Sequence, residues 1–437
     1  MLSDLRDGRA GNALLPGDEG WGENPPIYVP PGDPAAVVRP ETPQQVGEAL
    51  RFAAAEGIGV GIRGGGHGSG HFDNDGGLVI ELANFTGIEV NGTTVRIGGG
   101  AIWGDVAAEL GRHRLALTSG DTKSVGVGGL TLGGGVGWMV RQYGLAFDSL
   151  VAAEVVLPSG EVVTASADEH PDLFWALRGG GGNFGVVTTF VFEAHPLDGV
   201  VFGTLTFDVA HLAEALAGWR DVLREAPETF NSTLIAMPGM GPGMDPALQI
   251  VVIHPGRDAA AVEPQLAKLR AIPGYLSDDV NVAEYADALD EAHPFEGELP
   301  TITGDNGFID DLSDEAITAL VSVHEATGGV LMVRYLRGAF NRVPADATAW
   351  AHRGAEVMAM VAAFLPPRSP RELIDGVHAK WQPAKAFVTG TYGNFAQEVG
   401  DDMTQLMYPP QTLARLREVK RVYDPQNLLH ANHNVVP

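Results

Sequence analysis

Apolar residues in the first 200 positions recur with a helical spacing in several segments. The first of these begins at Thr42-Pro43, because threonine is a favourable N-cap and proline suits the first helical position. Its apolar positions lie on one helical face: Val46, Leu50 and Ala53. Gly57 is typical of a helix end. Helices are also predicted from about Trp103 to His113 and at about 171–177.

Short apolar runs between these helices predict β-strands. They lie at 58–63, 78–82, 94–98 and 186–194, and two more flank a proline-rich turn within 27–39. A hairpin is predicted for 152–166, where Pro158-Ser159-Gly160 separates two β-rich runs. The first 200 residues are therefore predicted to mix strands with helices.

Beyond about residue 200 the strand-like runs become longer and glycine runs become rarer. Strands are predicted at 233–238, 248–255 and 329–335, whereas the alanine-rich segment from Thr348 to Phe364 is predicted to be helical. A basic amphipathic helix is predicted from Thr412 to Val422, closed by Asp424-Pro425. The change in pattern indicates a second structural unit after residue 200.

The composition is that of an ordinary globular protein, with 45% hydrophobic and 19% charged residues among 437. The net charge of −27 argues against binding to a nucleic-acid backbone or an anionic membrane. The absence of cysteine excludes disulfides, thiolate metal sites and thiol nucleophiles. Met1 to Asn24 lacks the apolar segment of a secretory signal, and no apolar run reaches the about 18 residues of a membrane span. A soluble, cytoplasmic protein is therefore expected.

Glycine is concentrated in three clusters, at 64–68, 126–137 and 179–185. Such clusters are typical of ligand sites lined by backbone, since glycine permits positive φ and a close approach of the main chain. Gly180–Gly185 matches the dinucleotide fingerprint GxGxxG, but a β-rich run follows it where that fingerprint requires a helix. A nicotinamide-dependent Rossmann enzyme is therefore not predicted, and the sequence contains no P-loop motif.

His67 lies in the first cluster, after three glycines and before Gly68. His71 follows four residues later, a spacing that suits two metal ligands on a helix, but the intervening Gly-Ser-Gly disfavours a helix and no metal site is predicted. Backbone N–H groups of such a loop can cradle a diphosphate, and Arg63 could complement its charge. The alternative is that His67 is an ordinary loop histidine whose ring nitrogens are hydrogen-bonded within the protein.

Arg63-Gly64-Gly65-Gly66-His67 resembles the flavin-attachment motif of the berberine bridge enzyme-like oxidases, within the vanillyl-alcohol oxidase superfamily. The resemblance continues, in the family's order, at 124–129, 133–135, 143–148, 172–179, 185–188, 423–425, 427–429 and 432–434. It implies an α+β fold with a PCMH-type FAD-binding domain in two parts, residues 1–200 (core about 30–200) and a returning segment at 405–437. Residues 201–404 are expected to form a substrate domain, an antiparallel sheet backed by helices, with the active site at the interface.

The resemblance implies that His67 is bonded to the 8α-methyl group of FAD. The FAD-binding positions that it implies are Arg63, Gly64, Gly65, Gly66, Gly68, Ser69, Gly120, Thr122, Val125, Gly128, Gly129, Gly133, Gly135, Val187, Asn432 and Asn434. Many members attach FAD a second time through a cysteine, and Thr122 occupies that position here, so a single link is expected. Val125 matches a position where a small residue favours reaction with oxygen, which favours an oxidase over a dehydrogenase.

Tyr392 and Asn394 resemble the family's Tyr-x-Asn segment, and both are expected at the catalytic centre. Tyr392 is expected to be the base or part of its network, which requires a lowered pKa or a coupled partner, because free tyrosine titrates near pH ~10. The alternative is an aromatic that packs or contacts the substrate. Arg337 replaces a glycine of the family's Gly-Gly-Ala motif, and its side chain is expected to point either to the active site or to solvent.

The resemblance thus implies an FAD-dependent oxidase of secondary metabolism acting on a small molecule that bears an alcohol or an amine. A hydride passes to flavin N5, a base removes a proton, and molecular oxygen becomes hydrogen peroxide. The alternatives are a flavin dehydrogenase with another electron acceptor and a flavin-binding protein without activity. The sequence leaves the substrate and the oligomeric state open.

Overall fold

The structure is a computed structural model that describes residues 2–23, 26–29, 32–68, 75–239, 245–291, 298–398 and 400–437. Helices and strands alternate through these ranges in an α+β arrangement, as the sequence predicts. Within them, no helix combines the length and the apolar character that crossing a lipid bilayer would require.

The predicted helices of the first 200 residues are confirmed. The helices of the described chain are α1 (Pro43–Glu56), α2 (Trp103–Arg112), α3 (Val127–Gly133), α4 (Val140–Tyr143), α5 (Pro171–Leu177), α6 (Leu212–Glu225), α7 (Glu263–Arg270), α8 (Asp314–Thr327), α9 (Ala339–Arg342), α10 (Arg371–Ala379), α11 (Gln382–Lys385), α12 (Asp401–Met407) and α13 (Pro410–Tyr423). In α1 the Thr42 hydroxyl accepts a hydrogen bond from the Gln45 N–H, and Gly57 ends the helix with a φ of 67°.

The strands before residue 200 form two larger sheets and a short pair. They are β1 (Asn12–Leu14), β2 (Ala36–Arg39), β3 (Val60–Arg63), β4 (Leu78–Glu81), β5 (Ile88–Asn91), β6 (Thr94–Gly98), β7 (Leu115–Ala116), β8 (Leu150–Val156), β9 (Val162–Ser166), β10 (Val186–Glu193) and β11 (His195–Pro196). One sheet has the order β1-β2-β4-β3 with β2, β4 and β3 parallel, and the antiparallel second sheet has the order β5-β6-β10-β8-β9. The predicted hairpin is confirmed as β8 and β9.

The prediction of two strands within 27–39 is half wrong. Ala36–Arg39 forms β2, but residues 27–29 are bends. The Ile27 N–H donates to the carbonyl oxygen of Gly66 at 2.9 Å, so this segment bonds to the first glycine cluster and joins no sheet. The prolines that follow it lack the N–H donor that a strand needs.

An eight-stranded antiparallel sheet dominates the chain after residue 200. Its strands are β12 (Val200–Phe207), β13 (Asn231–Met237), β14 (Ala247–Pro255), β15 (Tyr275–Ala283), β16 (Thr301–Ile309), β17 (Val330–Tyr335), β18 (Val357–Leu365) and β19 (Val388–Gly390), in the order β15-β12-β14-β13-β17-β18-β16-β19. One face packs against α6, α7 and α8, in a core that includes Leu234 and Val333. The opposite face, including Met332 and Met358, packs against apolar residues from 95–194. We call residues 32–199 the N-terminal unit and 200–398 the sheet unit.

The helix predicted from Thr348 to Phe364 is wrong. Residues 348–356 form an irregular segment, and 357–365 form β18 between β17 and β16. Alternate side chains of β18 enter the two cores, Val357 and Ala359 on one side and Met358 on the other. Pairing on both edges and burial on both faces therefore outweigh the helix propensity of alanine.

Two buried arginines join the N-terminal unit to the sheet unit. Arg353 binds Asp148 through both terminal nitrogens, at 2.7 and 2.8 Å, and its side chain is 3% exposed. Arg141 donates to backbone carbonyl groups of Leu223, Ala226 and others in the sheet unit, and burial lowers its pKa to about 10. An arginine guanidinium that donates several hydrogen bonds fixes the relative position of the segments that it joins.

A buried ion pair fixes the end of α13 to the chain that follows it. Lys420 is fully buried, and its Nζ donates to Asp424 Oδ2 at 2.7 Å and to the carbonyl oxygens of Asn183 and Leu429. Asp424 also accepts the N–H groups of Leu428 and Leu429. Burial lowers the pKa of Lys420, and Asp424 opposes that shift. The pair therefore anchors the C-terminal segment on the N-terminal unit.

We expect Lys420→Met to lower the free energy of unfolding by about 3–5 kcal/mol, because Asp424 would be buried without its counter-charge. Denaturant unfolding at pH 7 measures the difference. Lys268→Met is the matched control, since the Lys268 side chain is 52% exposed beside Glu225. The control should cost less than about 1 kcal/mol, and equal losses in the two variants would contradict the anchoring role.

Candidate functional site

The first and second glycine clusters lie side by side. A Cβ atom added to Gly65 would lie 2.6 Å from the backbone nitrogen of Gly126, and one added to Gly126 would overlap Gly65. Gly66 has a φ of 67°, a conformation that residues with a side chain rarely adopt. A Cβ atom added to Gly128 would likewise lie only 2.8 Å from the carbonyl oxygen of Gly99. The clusters therefore bring main-chain groups together at a spacing that side chains would prevent.

His67 follows this contact, four residues beyond the end of β3. Its Nε2 atom is buried and has no hydrogen-bond partner among the residues that the structure describes. The Tyr28 ring meets the imidazole edge to face, at 4.8 Å between centroids. Burial lowers the pKa of His67, although a backbone hydrogen bond and the charge of Asp121 oppose the shift. The imidazole is therefore neutral at pH 7 and offers an unpartnered buried nitrogen to a ligand.

Arg63 ends β3 and faces a carboxylate. Its Nη1 lies 4.0 Å from Glu81 Oε2, an oxygen that also accepts from Arg39 Nε at 3.2 Å. Burial lowers the pKa of Arg63, and Glu81 opposes that shift. Binding of Arg63 to a diphosphate, which the sequence suggests, would therefore compete with its ion pair to Glu81.

The second glycine cluster also contacts the sheet unit and the segment around Tyr392. A Cβ atom on Gly133 would overlap the Asn394 side chain, and one on Gly134 would overlap the Trp350 ring. Gly135 has a φ of 84° and donates its N–H to Tyr392. These glycines, of which Gly133 and Gly135 are predicted FAD-binding positions, make the contact between the units possible.

Tyr392 and Asn394 form one hydrogen-bonded group. Tyr392 Oη accepts from Gly135 N at 3.1 Å and from Asn394 Nδ2 at 2.9 Å. Nδ2 also faces the carbonyl oxygens of Gly129 and Leu130, which can only accept, so the amide orientation is fixed. Burial raises the pKa of Tyr392, and the N–H donors oppose the shift without reversing it. The lowered pKa that a tyrosine base would use is absent, but partners that stabilise a phenolate are present.

An ion pair that the sequence analysis missed lies between the units. Arg334 Nη2 lies 2.5 Å from Asp121 Oδ2, while its Nη1 donates to the Val136 carbonyl oxygen and its Nε to Thr233 Oγ1. The guanidinium carbon lies 4.9 Å from the centre of the Trp138 ring. Burial alone would raise the pKa of Asp121, but Arg334 outweighs burial and holds that pKa below its usual value. The pair places a fixed positive charge near Tyr392 and a fixed negative charge near His67.

Two signals in the sequence could have found this pair. Arg334 is the one charged residue within the apolar strand 329–335, and Asp121 directly precedes Thr122. A charge in a strand that is buried on both faces requires a partner. The identity of that partner depends on contacts between the units, which spacing along the chain does not give.

The third glycine cluster binds the C-terminal segment. Asn183 donates to the His433 carbonyl oxygen at 3.1 Å and accepts from the Val435 N–H at 2.9 Å. Asn432 Nδ2 donates to the Gly182 carbonyl oxygen at 3.2 Å. His433 Nε2 lies 2.8 Å from the Gly393 carbonyl oxygen, next to Tyr392. The C-terminal segment is thereby placed between the third glycine cluster and the Tyr392 group.

Several buried polar atoms around the glycine clusters have no hydrogen-bond partner among the described residues. They are His67 Nε2, Ser124 Oγ, Asn432 Oδ1 and Asn434 Oδ1. Buried polar atoms in proteins are nearly always hydrogen-bonded, so such a group indicates a polar ligand. Together with the bare main chain of the clusters, these atoms fit a large dinucleotide such as FAD. In the described part of the chain, no three histidine, aspartate or glutamate side chains are arranged to hold a metal ion.

The remaining predicted positions lie around the same clusters. Gly120 has a φ of 80° and packs against Gly137, and the Val187 carbonyl oxygen packs against Gly99. The Thr122 hydroxyl donates to Asp121 Oδ1 at 3.0 Å. Gly64 lies near the Gly99 carbonyl oxygen, and the Val125 carbonyl oxygen accepts from the Trp103 N–H at 2.9 Å. The Gly129 carbonyl oxygen lies 3.4 Å from Asn394 Nδ2. Gly68 is exposed, and Ser69 and His71 lie outside the described residues.

The Arg337 side chain lies at the surface, beside Asp310 and Glu356. Its Nη2 donates to the Asp310 carbonyl oxygen at 2.9 Å and lies 3.8 Å from Glu356, and its side chain is 47% exposed. Of the two expected orientations, the structure shows the one toward solvent.

Comparison with known proteins matches two family models. Residues 34–166 match the FAD binding domain model, and residues 391–436 match the model described as berberine and berberine like. The chain is 31% identical over 428 residues to (R)-6-hydroxynicotine oxidase of Paenarthrobacter nicotinovorans, covering 92% of this chain and 91% of that protein. It is 29% identical over 460 residues to the chitooligosaccharide oxidase of Gibberella zeae, covering 96% and 91%.

Solved structures agree with this match. The crystal structure of 6-hydroxy-D-nicotine oxidase from Arthrobacter nicotinovorans superposes with a TM-score of 0.84 at 28% identity, covering 98% of both chains. The xylooligosaccharide oxidase from Myceliophthora thermophila superposes with a TM-score of 0.87 at 24% identity, covering 100% of this chain and 99% of the other, a likeness of fold alone. The fold expected from the sequence is thereby confirmed.

We expect Arg334→Met to destabilise the protein in a pH-dependent way. With Arg334, the lowered pKa of Asp121 stabilises the folded state above the pKa of the unfolded chain; without it, burial raises that pKa and destabilises the folded state in the same range. Because the Asp121 side chain keeps 28% exposure, we expect a loss of about 2–3 kcal/mol at pH 7, at the lower end for a broken buried pair. The loss should shrink toward pH 4, as Asp121 takes up a proton. Denaturant unfolding at pH 4, 5.5 and 7 measures it.

Arg96→Met is the control for this series, because Arg96 is 51% exposed beside Glu89. Its loss should stay below about 1 kcal/mol at each pH. A loss in Arg334→Met that is independent of pH would show that Asp121 is not the group left without a partner.

Proposed function

The chain belongs to the berberine bridge enzyme-like family of FAD-linked oxidoreductases, and on that premise we propose that it oxidises an alcohol- or amine-bearing small molecule through FAD bonded to His67. The FAD-binding domain in this proposal comprises residues 1–200 and 405–437, and residues 201–404 form the substrate domain. The relatives named above act as oxidases on hydroxynicotine and on oligosaccharides. Molecular oxygen is therefore the electron acceptor that we propose.

The observation that carries the attachment is the state of His67. Its Nε2 is buried without a partner among the described residues, beside the contact of two glycine clusters. Burial lowers the pKa of His67, so the ring is neutral, which is the form that can attack an electrophilic carbon. No cysteine is present to make a second bond, and the Thr122 hydroxyl is engaged with Asp121. A single covalent link follows.

The remaining residues bind, orient and move a proton. FAD, when bound, supplies the hydride acceptor, and oxygen takes up the hydride and the proton as hydrogen peroxide. Tyr392 accepts the proton of the substrate hydroxyl or amine, because Gly135 N and Asn394 Nδ2 stabilise the phenolate form. Arg334 lowers the energy of that phenolate further through its positive charge. Asn394 is held against Gly133, so it positions Tyr392.

We expect His67→Ala to abolish covalent flavin. The wild-type protein, denatured and measured as an intact chain, should carry the added mass of one FAD, and the variant should carry none. His113→Ala is the control, because His113 lies at the exposed end of α2. A wild-type chain that is yellow when native but carries no added mass would remove the special role of His67, and a colourless protein after incubation with FAD would refute the flavin function.

We expect activity to rise with pH, because the pKa of Tyr392 is raised above its usual value of 10.0 and the phenolate is the active form. Below that pKa the phenolate fraction increases tenfold per pH unit, so kcat/KM from oxygen uptake should rise from pH 6 to pH 9 without a plateau. Tyr392→Phe should lower kcat/KM about 100-fold or more, remove this rise, and leave the flavin content unchanged. A variant that keeps the rise would assign the base to another group.

A further inference from the structure

Five side chains form a row across the sheet face that lies toward the N-terminal unit. Strand pairing sets them opposite one another in the order Gln249, Ile235, Met332, Met360 and Asn306. We call this set the methionine row. It crosses β14, β13, β17, β18 and β16, so it spans most of the width of the sheet.

The methionine row lies at the edge of the contact between the units. The neighbouring row on the same face is fully covered: Thr233, Arg334, Met358 and Phe308. In the methionine row, Gln249, Ile235 and Met360 are only partly buried. The N-terminal unit therefore covers the sheet as far as Arg334, and its cover thins from there outward.

Small residues follow on the outer side of the row. Pairing of β17, β18 and β16 sets Val330, Ala362 and Gly304 in line, and all three are partly exposed. Their side chains are small, so the sheet surface beside Met332 and Met360 carries no bulky group at these positions. A ring-sized molecule that lies on the row would contact these small residues along its outer side.

One end of the row leads to the Tyr392 group. Asn306 Oδ1 accepts from the Tyr392 N–H at 2.8 Å and from Thr391 Oγ1 at 3.1 Å, and Asn306 Nδ2 donates to the Tyr392 carbonyl oxygen. Both acceptor positions of the amide oxygen are thereby used. Asn306 thus adjoins the Tyr392 main chain, and its amide oxygen offers no free acceptor position to a molecule on the row.

The row carries no ionisable side chain. Arg334, in the neighbouring row, is fully engaged by Asp121, Val136 and Thr233. Asp305 precedes Asn306 but points to the opposite face, where its carboxylate lies 2.9 Å from His378 Nδ1. The surface offered to a substrate is therefore neutral, and its centre, from Ile235 to Met360, is apolar.

We propose that the methionine row is the substrate-binding surface and that it selects a neutral, apolar ring over an oligosaccharide; this inference rests on the proposed function. Burying an apolar ring on Ile235, Met332 and Met360 is favourable, and methionine sulfur suits aromatic contacts. The hydroxyl groups of a sugar would lose water over Ile235, Met332 and Met360 without gaining hydrogen-bond partners from these side chains. The ring carries its oxidisable carbon toward Tyr392.

The test uses 2-phenyl-2-propanol and cellobiose as probes with the purified holoenzyme. The first is a neutral ring whose carbinol carbon carries no hydrogen, so it can bind but cannot be oxidised. Calorimetric titration measures both affinities and requires no turnover. We expect 2-phenyl-2-propanol to bind and cellobiose not to bind. Oxygen uptake should likewise be seen with 1-phenylethanol, and not with cellobiose.

Met360→Gln should weaken binding of 2-phenyl-2-propanol about tenfold, because it replaces the thioether by an amide of similar length. Met360→Leu keeps an apolar surface and should weaken it less. Leu373→Gln makes a comparable apolar-to-amide change on α10, at a side chain that is 51% exposed, and should leave the affinity unchanged. Binding of cellobiose alone, binding of neither probe, or equal effects of the two Met360 substitutions would overturn the inference. A protein without flavin would instead refute the proposed function, and calorimetry would still decide the binding preference.

Discussion

Close approach of main-chain segments is the constraint on which the site depends. Gly65 and Gly126 meet at a distance that a single methyl group would prevent, and Gly133 leaves room for Asn394 in the same manner. Protein interiors are packed too tightly for such contacts to adapt to an added atom without displacement. The same residue type thus serves two purposes, a bare surface for a ligand and a close seam between the units.

Buried charges fix how the units lie against each other. Arg334, Arg353 and Arg141 each extend across the contact between the units, and each has at least one acceptor on the opposite unit. A buried charge is tolerated only where its partners are complete, so a shift of one unit would leave several charges unsatisfied. The contact between the units is therefore determined by hydrogen bonds and ion pairs as well as by apolar packing. The position of Tyr392 depends on that contact.

Local signals in the sequence predicted much of this fold. A few neighbouring residues were enough to predict three local features: the helix cap at Thr42, the turn at 158–160 and the glycine clusters. The structure contains all three. The helix prediction for 348–364 is wrong because it used only local propensity, and alanine favours a helix. The strand that forms there is determined by pairing with two strands that are distant in the sequence. Tyr392 and Asn394 could be chosen as candidates from a motif. The sequence could not predict the raised pKa of Tyr392 or the pairing of Arg334 with Asp121, because both depend on which surfaces bury these residues.

The anchoring of the C-terminal segment by Lys420 and Asp424 has a consequence for biosynthesis. His67 leaves the ribosome early, whereas Asn432 and Asn434 are made more than 360 residues later. At about 5–20 residues per second, roughly 20–70 s separate the two ends of one site. During that time the glycine clusters lack the chain that covers the third of them and borders Tyr392. The candidate site can therefore be completed only when the polypeptide is nearly finished.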